Sequence, residues 1–187
     1  TKYPPLIIAE IGINHEGKIW KAKKMIDDAF DAGCECVKFQ YHIPEKEMIK
    51  NNTIPGNAKE SIWNIIKRCT LSHKNEMEIF EYVKKKGMIY LSTPFSDKAA
   101  INLNKMGVKA FKIGSGECNN DYVLNAVAKF DKPMIVSTGM NNLKVCAETY
   151  DLLLSQIGCK VILMHTTNIY PTPSNLVRLG GVTELQS

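Results

Sequence analysis

The sequence predicts an α/β fold of the (β/α)8 barrel type, with about six of the eight β/α units present in residues 1–187. Three observations carry that prediction. Short, near-continuously apolar runs alternate with longer stretches of helical period, the pattern of parallel strands covered by helices. Glycine repeatedly stands just past a helical stretch and just before the next strand, where a left-handed cap residue belongs. Polar residues gather at the C-terminal ends of the strand candidates, the rim at which barrel enzymes build their sites.

The first strand is read over Leu6 to Ile11, and the first helix over Ile19 to Asp31, closed by Ala32-Gly33. A second strand covers Cys36 to Gln40. The stretch 41–74 is the one long excursion, with Pro44, Pro55-Gly56 and a short helix from Glu60 to Arg68, and long loops of this kind are usually functional. Helix Asn75 to Lys86 ends at Gly87 before the strand Met88 to Thr93, and helix Asp97 to Lys105 ends at Met106-Gly107 before the strand Ala110 to Ile113. Then follow a helix Asn120 to Phe130, a strand Met134 to Thr138, a helix Asn142 to Ser155 closed by Ile157-Gly158, and a strand Lys160 to His165. An open dinucleotide-binding sheet is the alternative architecture. Its fingerprint is incomplete, because Gly114-Ser115-Gly116-Glu117-Cys118-Asn119 carries Asn119 where the third glycine belongs.

Composition excludes several classes of function. The chain is 44% hydrophobic and 23% charged, the make-up of an ordinary globular domain rather than a disordered, collagenous or coiled-coil one. No apolar run approaches the ~18 residues of a membrane span, and no signal peptide is recognisable, so a cytoplasmic protein is expected. The glycosylation triplet Asn51-Asn52-Thr53 is then incidental. The net charge of +5 is dispersed, with no basic run interleaved with aromatics, so nucleic acid is not an expected partner. Six cysteines (34, 36, 69, 118, 146 and 159) lack metal-site spacing and are expected as free, buried thiols. Cys34 and Cys36 alternate in facing and would splay apart. A barrel typically needs ~250 residues, so a chain of 187 is expected to lack part of one.

The chemistry is expected at the strand ends. Glu10 closes the first strand, Lys38 and Gln40 share one face of the second, and Thr93 closes the third. Lys112, Ser115 and Glu117 follow in and after the fourth strand, Ser137 ends the fifth, and Asn168 and Tyr170 follow the sixth. A lysine on the inward face of a strand is costly unless its charge is met. Lys38 and Lys112, near hydroxyls of Thr93, Ser115 and Ser137, suit a phosphate or carboxylate. Pairing of the lysines with Glu10 and Glu117 is the purely structural alternative. A Schiff-base lysine of a lyase or aldolase is the other catalytic one. The four histidines, His15, His42, His73 and His165, show no ligand spacing, and His73 is expected at a solvated helix start.

Longer motifs carry a resemblance. Ile8-Ala9-Glu10-Ile11-Gly12-Ile13-Asn14-His15-Glu16-Gly17, Val37-Lys38-Phe39-Gln40, Ile54-Pro55-Gly56-Asn57, Ser92-Thr93-Pro94-Phe95, Lys112 to Asn120, Ser137-Thr138-Gly139-Met140 and Thr167 to Pro173 together resemble the bacterial sialic acid synthases. The resemblance runs from about residue 6 to the C-terminus. That family includes N-acetylneuraminate, legionaminate and pseudaminate synthases. It implies condensation of phosphoenolpyruvate with an N-acetylated hexosamine aldehyde, of the N-acetylmannosamine type, to give a nine-carbon 2-keto acid and phosphate.

The resemblance assigns roles by position. Lys38, Thr93, Lys112, Ser115, Ser137 and Asn168 match phosphoenolpyruvate-binding residues. Gln40, Asn57 and Tyr170 match sugar-binding residues, and Glu10 and Glu117 match residues that handle protons near the aldehyde. Phe39 and Tyr41 stand where some members carry His and Thr. The family's divalent metal, Mn2+ or Mg2+, is held by histidines on the seventh and eighth strands, so no metal ligand is expected in residues 1–187. The remaining strands and the family's C-terminal antifreeze-like domain, which completes a homodimer, are likewise expected to be absent. The isolated chain is therefore expected to be inactive alone, and a non-catalytic anion or sugar-phosphate binding fragment is the third reading.

Overall fold

The computed structural model of the chain describes residues 4–56, 58–156 and 160–186. These form two compact units, Thr1–Val108 and Lys109–Ser187. Among the described residues no helix is long and apolar enough to cross a membrane.

The first unit is built on a parallel sheet of β1 (Ile8–Gly12), β2 (Cys36–Tyr41) and β3 (Ile89–Pro94), in that order. Its register aligns Glu10 with Lys38 and Gln40 with Thr93, which sets the polar strand ends side by side. β1 is irregular between Glu10 and Gly12, and Gly12 takes a φ of +56°, a conformation that favours glycine. Helix α1 (Ile19–Asp31) buries Ala22, Ile26 and Ala29, one stripe at helical spacing. It lies beside α4 (His73–Lys85), with Lys23 paired to Glu78 at 2.7 Å and the Tyr82 hydroxyl donating to Asp27 at 2.8 Å.

Serine starts three helices of this unit. Ser61, Ser72 and Ser96 accept the backbone N–H of Asn64, Asn75 and Ala99, capping α3 (Ile62–Cys69), α4 and α5 (Asp97–Met106). The Ser72 cap explains why α4 begins at His73, two residues before the helix read from periodicity. His73 is exposed at that start, as expected, and its Nδ1 also meets the Tyr41 hydroxyl at 2.7 Å. The cap glycines are where the sequence reading puts them, with φ of +82° at Gly33, +74° at Gly87 and +90° at Gly107. The expected Ile157-Gly158 cap lies outside the described residues. The excursion after β2 contains a short helix the sequence reading passes over, α2 (Pro44–Glu47), with proline at its first position.

The second unit repeats the arrangement with β4 (Phe111–Ile113), β5 (Met134–Ser137) and β6 (Val161–Met164), all parallel. Its helices are α6 (Asp121–Ala128), α7 (Leu143–Gln156) and the short α8 (Gly181–Glu184). Phe111, Ile113, Leu124, Met134, Val136 and Leu153 are fully buried between sheet and helices. The Asn120 side chain caps α6 by accepting the Val123 N–H. Beyond β4 a 3-10 turn over Ser115–Glu117 replaces a direct run into the helix, a detail periodicity does not reveal.

Candidate active site

In the first unit the site grows from the ends of β1, β2 and β3. Lys38 is 7% exposed, and its ammonium lies 3.1 Å from Glu10 Oε2 and 3.2 Å from Thr93 Oγ1. Glu10 itself is exposed, so the lysine is buried but its counter-charge faces water. The structural pairing considered for Lys38 is thus present, and it leaves the carboxylate accessible. Gln40 is half-buried. A Cβ placed on Gly12 would stand 3.2 Å from Glu10 Oε1 and 3.9 Å from Gln40 Nε2, so these two side chains close over the glycine. Phe39 and Tyr41 point the other way, toward the helices. Phe39 stacks on Tyr90 at 5.6 Å, and the Tyr41 hydroxyl meets His73 and Asn102.

In the second unit Lys112, also 7% exposed, donates to its neighbour's carbonyl at Ile113 and to the Ser137 hydroxyl. Ser115 Oγ lies 3.0 Å from Thr166 Oγ1, which accepts the Gly139 N–H at 2.9 Å. The Asn141 carboxamide donates to the carbonyls of Ser115 and Gly139. Gly139 is the keystone of this cluster. A Cβ there would meet Asn168 Oδ1 at 2.0 Å, Thr166 Oγ1 at 2.7 Å and Ser115 Oγ at 2.9 Å. A cavity of about 530 Å3 lined by Thr138, Asn141, His165, Asn168 and Arg178, among others, opens beside it.

Most of the predicted residues therefore gather within their own unit: Glu10, Lys38, Gln40 and Thr93 in the first, Lys112 with Ser137 and Ser115 with Asn168 in the second. Glu117 accepts from the Asn120 carboxamide at 2.5 Å and is half-buried. Tyr170 is 83% exposed in the loop after β6. Asn57 lies outside the described residues. Sequence reasoning missed Thr166 and Asn141 as members of the second cluster. Thr166 stands two positions from the predicted Asn168, and Asn141 four positions from the predicted Ser137.

Titratable groups near the first cluster are strongly shifted. Burial, and then the charge of His42, hold His15 down at about 4, and its Nδ1 accepts the Gly17 N–H. Behind the sheet, burial pushes the Glu76 carboxyl up to about 8, with a partly offsetting bond from the Tyr90 hydroxyl. Both groups are therefore neutral near pH 7.

All four histidines have a ring nitrogen committed to a protein partner: His15 to Gly17, His42 to Glu47, His73 to Tyr41 and His165 to the Val177 carbonyl. Among the described residues no group of three or more His, Cys, Asp or Glu side chains lies close enough to hold a metal ion. The described residues do not fit a metal centre. The described cysteines are free, with Cys36, Cys69, Cys118 and Cys146 buried.

The model of the NeuB family matches residues 25–187. An N,N'-diacetyllegionaminic acid synthase of Campylobacter jejuni is 38% identical over 191 residues, covering 97% of this chain and 57% of the relative. An N-acetylneuraminate-9-phosphate synthase of Mus musculus is 28% identical over 190 residues, covering 99% and 53%. The solved N-acetylneuraminic acid (sialic acid) synthetase of Leptospira borgpetersenii, in complex with citrate, matches with a TM-score of 0.88 at 28% identity, covering 98% of this chain and 61% of its own. The chain spans about half the length of the curated relatives it matches.

Proposed function

The chain belongs to the NeuB family, and from that membership we propose that the protein condenses phosphoenolpyruvate with an N-acetylated hexosamine aldehyde, giving a nine-carbon 2-keto acid and phosphate. The observation that carries this reading is the pair of buried strand lysines, Lys38 and Lys112, each bonded to a strand-end hydroxyl. Phosphoenolpyruvate is a small, multiply charged anion. Lysine ammonium groups held at strand ends beside hydroxyls match it as point charges.

Lys38 and Thr93, with Lys112, Ser115, Ser137 and Asn168, are assigned to the phosphate and carboxylate groups. Their work is orientation and charge stabilisation as carbon 3 of the enol phosphate attacks the aldehyde carbon. Water then adds to carbon 2, and the C–O bond to phosphate breaks. Glu10 is exposed beside Gln40 and can exchange a proton with solvent, so it is assigned to the proton transfer at the new hydroxyl, with Glu117 as the second carboxylate. Gln40, Asn57 and Tyr170 are assigned to the sugar. A divalent ion used by the reaction is assigned to residues outside the described set. The six β/α units are proposed to be six of the eight of a (β/α) barrel. The legionaminic, neuraminic and sialic acid synthase names of the relatives support this reaction class.

Calorimetry of the chain with phosphoenolpyruvate tests the reading. Saturable binding, lost in Lys112→Ala, is the expected result, and the absence of any binding overturns it. Borohydride treatment with pyruvate separates the lysine roles: a covalent adduct at Lys112 would replace anion binding with Schiff-base chemistry.

A further inference from the structure

The excursion after β2 buries a histidine–glutamate pair that the proposed reaction does not use. His42 is 5% exposed, and the side chain of Glu47 only 3%. His42 Nδ1 lies 2.7 Å from Glu47 Oε1, while Glu47 Oε2 accepts the Ile43 N–H at 3.1 Å. The imidazole lies flat on Phe95, centroids 4.3 Å apart and planes within 16°. Its other nitrogen, Nε2, is 3.1 Å from Gln40 Oε1. Carboxylate, ring and carboxamide form one chain that ends at a residue already assigned to the sugar.

A glutamine carboxamide has two nearly isosteric ends, one a donor and one an acceptor, so a site that needs a particular end must hold it. With its oxygen engaged by His42, Gln40 turns Nε2 toward Gly12, on the side where the Glu10 carboxylate also stands. The reverse orientation would turn the amide oxygen toward that carboxylate and set two acceptors together. An amide oxygen facing Nε2 is satisfied by a ring that donates from that nitrogen. A buried polar pair is weak support for stability alone, because apolar residues of equal volume usually serve as well. Its aim at Gln40 gives it a purpose.

We propose that His42 and Glu47 are positioning residues that lock the Gln40 carboxamide with its NH2 facing Gly12. This position then offers the substrate a hydrogen-bond donor beside the Glu10 acceptor, and selects a sugar with an oxygen acceptor there. The donor role rests on the reading of Gln40 as a sugar-binding residue.

The chain contains three glutamines, Gln40, Gln156 and Gln186. Labelling with side-chain 15N-glutamine therefore gives three amide pairs, and Gln40→Glu identifies the one of interest. The wild-type pair is expected to be well dispersed and slow to exchange with water. His42→Ala and Glu47→Ala are each expected to move it to the position of free glutamine and to speed its exchange by about tenfold, the size of one lost hydrogen bond. An unchanged Gln40 pair in the folded variants overturns the lock. Should the variants not fold, ring 15N spectra of the wild type decide. A proton on His42 Nε2 supports the orientation, and an unprotonated Nε2 overturns it. Titration with N-acetylmannosamine is read on the same signal. A shift of the Gln40 pair supports the donor role, whereas no shift with the lock intact overturns that role and the sugar assignment of Gln40 together.

Discussion

The two units hold a buried strand lysine in different ways. In the first, Lys38 is met by a carboxylate and a hydroxyl, Glu10 and Thr93. In the second, Lys112 is held by the Ile113 carbonyl and Ser137, beside a cluster of hydroxyls and amides from Ser115, Asn141, Thr166 and Asn168 around Gly139. An anion that approaches Lys38 meets the Glu10 carboxylate. One that approaches the second cluster meets neutral donors. The difference teaches that a repeated β/α frame can give one lysine in each half a different set of partners, a carboxylate and a hydroxyl in the first and a carbonyl and a hydroxyl in the second.

The largest effect expected from this contrast is on anion affinity. Lys112→Ala is expected to weaken phosphoenolpyruvate binding about 100-fold in calorimetry, since hydrogen bonds to charged groups contribute about 1.5–3 kcal/mol. A smaller loss is expected in Lys38→Ala, because the Lys38 ammonium is already met by Glu10, and an equal or larger one would show that this pairing does not weaken its hold on the anion. Next comes Gly139→Ala. Its methyl group must displace Asn168, Thr166 and Ser115, an overpacking cost of about 1–3 kcal/mol, with anion binding lost alongside a lowered melting temperature. A variant that binds and melts as wild type would mean that the second cluster is not a built cradle.

The pH dependence of stability should arise in the first unit. Glu76, raised to about 8, keeps its proton in the folded chain while the unfolded chain loses it above about pH 4.5, so stability falls as pH rises between those values. His15, lowered to about 4, stays neutral while the unfolded chain gains a proton below about pH 6.5, so stability falls as pH drops from 6.5 toward 4. The two slopes oppose each other between about 4.5 and 6.5. From pH 6.5 to 8 Glu76 acts without that offset, and urea unfolding should lose about 2 kcal/mol, at about 1.4 kcal/mol per unit. Glu76→Gln should flatten that limb, whereas an unchanged slope would remove Glu76 as its source. In the second unit burial pushes up the thiols of Cys118 and Cys146, which are already neutral in this range. The smallest expected effect is at Glu10. Glu10→Gln removes the counter-charge of Lys38 and should tighten phosphoenolpyruvate binding a few-fold, because a competing carboxylate is gone. Weaker binding in that variant would show that the carboxylate positions Lys38 rather than competing for it.

Much of this was legible in the amino-acid order. Every strand and the five long helices lie within about two residues of their expected bounds, because apolar period and glycine caps are local signals. Alternation placed Lys38 and Gln40 on one face of β2, with Val37 and Phe39 on the other. What stayed hidden depends on turns. The four-residue α2 brings Glu47 back onto His42, and the loop after β6 brings Asn168 and Thr166 over Gly139. No periodicity encodes either return. Tyr170, matched to the sugar by resemblance, stands 83% exposed.

By itself the sequence determined the parallel β/α frame, the two strand lysines and the family, since these rest on residue type, spacing and motif along the chain. Tertiary structure alone decided which partner each lysine keeps, which end of the Gln40 carboxamide faces Gly12, and why Gly139 has no room for a side chain. Hydrogen bonds are made over about 3 Å in space, and separations of 25 to 55 residues along the chain, as between Lys112 and Ser137 or Lys38 and Thr93, close to that distance only when the sheet registers are set.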